Sequence, residues 1–113
     1  MEKTVGNLKI RSVDESAFGV NHAFGIYHEG ESDGVKFTTI EFQKGPVKEF
    51  GINGITEEVL LEIIIDRLEG FQKTEFCTGL NRDALTNLYA ALGSLNDRTA
   101  LRILRGVEGA SVV

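Results

Sequence analysis

The hydrophobic period of this chain changes once, at Thr56, and the change sets what each half can become. Upstream, apolar residues tend to alternate in short runs; downstream they recur every three or four positions. Leu8-Lys9-Ile10-Arg11-Ser12-Val13 alternates as a half-buried strand does, and residues 22–29 alternate more loosely, with Phe24, Ile26 and His28 sharing a face. Residues 35–42 are rich in β-branched and aromatic side chains and make the clearest strand. The polar, glycine-flanked stretch from Gly30 to Gly34 reads as the hairpin connection between these two. Gly45-Pro46 closes the third strand, because proline offers no ladder donor. A short fourth strand around Val47 to Phe50 is expected before the turn dipeptide Asn53-Gly54.

From Thr56 the pattern predicts helices. Thr56 is a good N-cap, and Glu57 and Glu58 follow in the first turn, where the helix dipole favours anions. Val59, Leu60, Ile63, Ile64 and Leu68 form a wide apolar face, and Ile63-Ile64-Ile65 extends it to more than one side. Such a helix expects burial against two surfaces: the sheet and a second helix, or a second subunit. Thr78 or Asn81 caps the next helix, which runs to about Arg105 with Gly106 as its C′ residue. The short connection makes the pair an antiparallel hairpin. The expectation is an α+β single domain over residues 1–113: a β-meander of three to four antiparallel strands over 1–55, packed with a two-helix hairpin over 56–109.

Twelve Lys and Arg against 17 Asp and Glu give a net charge of −5, which argues against a DNA or RNA polymer or a membrane surface as partner. No run is apolar enough to span a bilayer, and Met1-Glu2-Lys3-Thr4 does not open a signal peptide. One cysteine, Cys77, permits no intrachain disulfide, fits a reducing cytoplasm, and reads as a small buried hydrophobe rather than a nucleophile.

Against this acidic background the last helix ends in an unusual way. Arg98, Arg102 and Arg105 stand at i, i+4 and i+7 and share one face. The leucine seam Leu85, Leu88, Leu92, Leu95, carried on at its own spacing, reaches Thr99 and Arg102, so it turns polar in its last two turns. Guanidinium forks match phosphate and keep their charge when partly desolvated. The helix dipole alone accounts for Arg105 well and Arg102 fairly, but poorly for Arg98, two turns before the end. Anion binding and dipole compensation both stay open for this face. Phe71 and Phe76 flank the bend between the helices, with Asn81 just after it; rings in such places usually belong to the core. Arg98 lies ~25 Å along the helix from that bend, at ~1.5 Å per residue. The two regions can share a ligand only across a subunit interface.

His22 and His28 are six apart with no supporting ligand cluster, so no metal site is expected. No nucleophile elbow, P-loop or dinucleotide fingerprint occurs, and the carboxylates scatter without forming a marked pair.

The residues together carry a resemblance. Phe42-Gln43-Lys44-Gly45-Pro46, Gly51-Ile52-Asn53-Gly54, Glu58, Leu60-Leu61, Arg67-Leu68 and Gly70-Phe71-Gln72 form its first part. Phe76, Asn81, Ala84-Leu85, Ala91-Leu92, Leu95, Arg98-Thr99, Arg102 and Arg105-Gly106-Val107-Glu108-Gly109 complete it. Over residues 37–109 the chain resembles the phage Thoeris anti-defence proteins of the first type; residues 1–36 carry none of these motifs.

The resemblance implies a non-enzymatic, cofactor-free sponge acting in the host bacterial cytoplasm. Such a protein binds a cyclic ADP-ribose isomer, such as the glycocyclic ADP-ribose made by TIR-domain enzymes, and releases it uncleaved. It also implies cyclic trinucleotides as further ligands, in separate pockets, and a homo-oligomer in which dimers assemble to a hexamer. Carried over by motif, Phe71 stacks on the adenine and Asn81 bonds polar groups of the ligand. Arg98 and Arg102 hold phosphates from the facing subunit beside Thr99, and Arg105 serves the same ligand or the trinucleotide pocket. Two other classes stay open: a hydrolase of such a signal, and a module that docks a host protein through the Ile63-Ile64-Ile65 surface.

Overall fold

In a computed structural model of the protein, residues 1–30 and 36–110 are described. The chain divides into two compact units between Ile55 and Thr56, where the hydrophobic period changes.

The first unit is a four-stranded antiparallel sheet in the order β1 (Glu2–Val5), β2 (Leu8–Ser12), β3 (Ala23–His28), β4 (Lys36–Glu41). Ile10 pairs with Lys3 on one side and Ile26 on the other, and Ile26 in turn with Thr38. Residues 31–34 of the expected hairpin connection, and Val35, lie outside the described residues. The fourth strand is therefore the N-terminal one, not Val47 to Phe50. β1 is exposed along its whole length and carries no apolar alternation. It is fixed by its ladder and by polar ties: Glu2 reaches Lys9 at 3.5 Å and Arg11 at 3.7 Å, and the Met1 amino group donates to the Ser12 hydroxyl at 2.8 Å.

Val47–Phe50 forms a single helical turn, α1. Pro46 is pre-set at φ −63° for a helix start, Phe50 N–H donates to Pro46 C=O at 2.9 Å, and Gly51 at φ +71° ends the turn. Two dipeptides of the sequence signature then lock together. Lys44 N–H donates to Asn53 Oδ1 at 2.7 Å, while Asn53 Nδ2 returns a bond to Lys44 C=O at 2.8 Å. Gln43 Nε2 donates to Gly51 C=O at 2.8 Å, and Gln43 Oε1 accepts from Asn53 N–H at 2.9 Å. This clasp lays Ile55 beside Phe42 as a short parallel bridge. Gly54 must be glycine there, since a Cβ would stand 2.4 Å from the Phe42 carbonyl carbon.

The second unit holds α2 (Glu57–Gln72) and α3 (Gly79–Leu104), which pack on each other. Thr56 caps α2 by accepting from Val59 N–H, and Thr78 caps α3 by accepting from Asn81 N–H at 3.0 Å. Gln72 pins the connection, accepting from Thr78 N–H at 3.0 Å and donating to Thr78 C=O at 2.9 Å. Ile65 of α2 and Leu85 of α3 are buried; Leu88, Leu92 and Leu95 are half-buried, as the seam required. Arg105 is the C-cap, and Gly106 at φ +71° turns the chain out, with Val107 N–H bonded back to Arg102 C=O. Ile63, however, is 59% exposed and Ile64 is also open to solvent, so only one side of the isoleucine run is covered. Cys77 is exposed rather than buried, because it sits in the connection ahead of the Thr78 cap.

Candidate functional site

The polar end of the α3 seam is where the three arginines meet. Arg98, Arg102 and Arg105, with Ser94, Asp97 and Leu101, line an open groove of about 550 Å³. Their helical spacing is the cause: side chains at i, i+4 and i+7 lie one above another on one face. Thr99, half-buried on the seam, lines a smaller neighbouring hollow with Arg98, Arg102 and Glu108.

The three guanidinium groups differ in what they already hold. Arg98 is mostly exposed, and its Nη2 lies 3.3 Å from Glu58 Oε1 at the start of α2. Arg102 is four-fifths covered: Nε meets Glu108 at 3.2 Å, and Nη2 donates to Val107 C=O at 2.9 Å and Ala110 C=O at 3.1 Å. It therefore ties residues 107–110 back onto the helix. Arg105 is exposed on the last turn, where the dipole favours a cation. Chemically the groove offers a stepped row of forks suited to a multiply charged anion. A ligand there competes with Glu58 for Arg98 and with Glu108 for Arg102.

The other expected site residues stand elsewhere. Phe71 is half-buried near the end of α2, with the Arg67 guanidinium carbon 5.0 Å over its ring centroid. Asn81 lies in the first turn of α3; its backbone N–H serves the Thr78 cap, and its Nδ2 donates to Phe76 C=O at 3.5 Å. Within one chain, neither Phe71 nor Asn81 lines the arginine groove. The sequence assigns Glu58, Glu108 and Arg67 no part in the site; Glu58 reads there only as a first-turn anion of α2. Only Arg67 carried a local signal, its i, i+4 spacing to Phe71; Glu58 reaches Arg98 across 40 residues.

A second pair joins the helices: Tyr89 Oη donates a hydrogen bond to Glu69. That bond holds the phenol above its ordinary titration range, since ionising it would place two negative charges together. Leu101 of the groove lining (61% exposed) and Leu104 (82% exposed) leave the last turns of α3 partly apolar toward solvent.

No helix among the described residues is long and apolar enough to cross a membrane. No family model matches the chain. Over 74 residues it is 50% identical to Thoeris anti-defense 1 of Bacillus phage SBSphiJ7, an alignment that takes in 66% of this chain and 52% of that protein. The chain thus spans about half the length of the curated relative it matches. The alignment is about as long as the signature of residues 37–109, and over that length the chain is similar to the Thoeris anti-defence proteins.

Proposed function

We propose that this protein is a phage anti-defence sponge that sequesters cyclic nucleotide signals in the bacterial cytoplasm without cleaving them. The ligand is a cyclic ADP-ribose isomer such as glycocyclic ADP-ribose, with cyclic trinucleotides as a second class. One observation carries the reading: three arginines share one groove at the end of α3 in a net-acidic chain that is 50% identical over 74 residues to a Thoeris anti-defense 1 protein. A diffuse basic field would suit a polymer; a local row of forks suits a compact anion.

In this reading α2 and α3 act as an antiparallel hairpin, and the site is completed by a second copy. Phe71 and Asn81 of one subunit meet Arg98, Thr99, Arg102 and Arg105 of the other. The exposed Ile63, Leu101 and Leu104 support such an assembly, being the apolar surface a single chain leaves uncovered. A base stacked on Phe71 contributes about 1–3 kcal/mol and each charge-assisted hydrogen bond about 1.5–3 kcal/mol. One stack and three or four such bonds approach the ~12 kcal/mol of nanomolar binding, before ordering costs.

Titration calorimetry with glycocyclic ADP-ribose tests the reading. Tight binding is expected in the wild type, with at least tenfold weakening in Phe71→Ala and in Arg98→Ala. Chromatography of ligand recovered after heat denaturation should return the intact compound, and light scattering should give a dimer or a larger multiple. No heat of binding, hydrolysed ligand or a strict monomer defeats it.

A further inference from the structure

We infer that Arg67 is a positioning residue for the nucleotide base: its guanidinium occupies one face of the Phe71 ring and so leaves the opposite face as the stacking surface. The inference rests on the proposed binding of an adenine-bearing ligand at Phe71. The two residues lie four apart on α2, the spacing that brings helix side chains into contact, and Arg67 Cζ stands 5.0 Å over the ring centroid. That distance is within the range at which a cation is held by the negative face of an aromatic ring.

Two features set Arg67 apart from the groove arginines. Arg98 and Arg102 are held by Glu58 and Glu108, whereas among the described residues Arg67 makes no ion pair. Its orientation is therefore set by the ring, not by a carboxylate. Arg67 is also exposed while Phe71 is half-buried, so the guanidinium itself covers part of the Phe71 ring. An aromatic platform needs one open face and a fixed tilt. A planar cation lying on the back of the ring supplies both: it blocks stacking there and restricts rotation of the phenyl group. The class of ligand that benefits is an electron-rich heteroaromatic base, and the ordered column is guanidinium, phenyl, purine.

The test compares wild type with Arg67→Met, which keeps an unbranched stem over the ring but removes the cation, and Arg67→Gln as a second variant. Glycocyclic ADP-ribose is titrated at low and at high salt, and thermal melts check folding; an exposed helix position tolerates either change. Affinity should fall about two- to fivefold in both variants, the scale of an exposed cation–π contact. The ratio of wild-type to variant affinity should hold at both salt concentrations, because a contact pair is screened far less than separated charges. Equal affinity of wild type and variants overturns the inference while leaving the sponge reading intact. A ratio that collapses toward one at high salt also overturns it, since Arg67 would then serve the phosphates through long-range charge. A wild type that does not bind removes both readings together.

Discussion

Arg98 is not a free cation: its Nη2 sits 3.3 Å from Glu58 Oε1, so the start of α2 neutralises the arginine that opens the groove on α3. The ion pair is half in solvent, with the Arg98 side chain 57% exposed, and such pairs contribute about 0–1 kcal/mol. A phosphate arriving at Arg98 must displace that carboxylate. Glu58→Gln should therefore tighten glycocyclic ADP-ribose binding by up to about fivefold while moving the melting temperature little. Calorimetry and a thermal melt on the same preparation check both halves; unchanged or weaker binding would show that Glu58 is not a competitor.

Arg102 behaves differently because it is structural as well as cationic. Its bonds to Glu108, Val107 C=O and Ala110 C=O fasten the segment after Gly106. Lysine keeps the charge but cannot reproduce the fork. Arg102→Lys should speed amide exchange across residues 107–110, and Arg102→Ala should cost about 1.5–3 kcal/mol, the range for hydrogen bonds to charged groups. Exchange mass spectrometry decides the point. Identical protection of that segment in the lysine variant would mean the fork is not what holds it.

The legible parts of this fold are those governed by neighbours in sequence. Thr56, Thr78 and Gly106 act as caps and C′ residue because an N-cap hydroxyl and a left-handed glycine obey rules spanning three or four residues. The seam from Leu85 to Arg102 was readable for the same reason, and so was the sharing of one groove by three arginines. β1 escaped notice since an exposed edge strand needs no alternation, only a partner ladder. Val47–Phe50 misled because its apolar ends suit a strand, while Pro46 before it and Gly51 after it select one helical turn. The counter-charges Glu58 and Glu108 depend on tertiary register, which spacing does not encode.

The Asn53 clasp makes a prediction for the first unit alone. Asn53→Ala deletes both bonds to Lys44 and leaves its N–H and C=O without those partners. At about 0.5–1.5 kcal/mol per bond the loss should be about 1–3 kcal/mol. Gly54→Ala should cost more, about 2–4 kcal/mol, as its Cβ would meet Phe42 backbone that has nowhere to retreat. Urea titration of the two variants gives the order; an alanine at 54 tolerated better than one at 53 would contradict the clash.

Asp14 links the sheet unit to pH. Its carboxylate accepts from His22 N–H at 3.0 Å and from Asn21 Nδ2 at 3.2 Å, and the His22 bond is the main cause of its lowered pKa. A depressed carboxylate contributes stability that is fully present above the unfolded value of about 3.9. The contribution is lost as pH falls through the lower folded value, because the unfolded chain takes up the proton first. Wild-type urea midpoints should therefore drop below about pH 4, and Asp14→Asn should flatten part of that acid limb while lowering the midpoint at neutral pH. Midpoints measured at several pH values in both proteins provide the comparison. Parallel curves would show that the Asp14 bonds to His22 and Asn21 persist unchanged when the carboxyl is neutral, and that the acid sensitivity of the unit arises at another carboxylate.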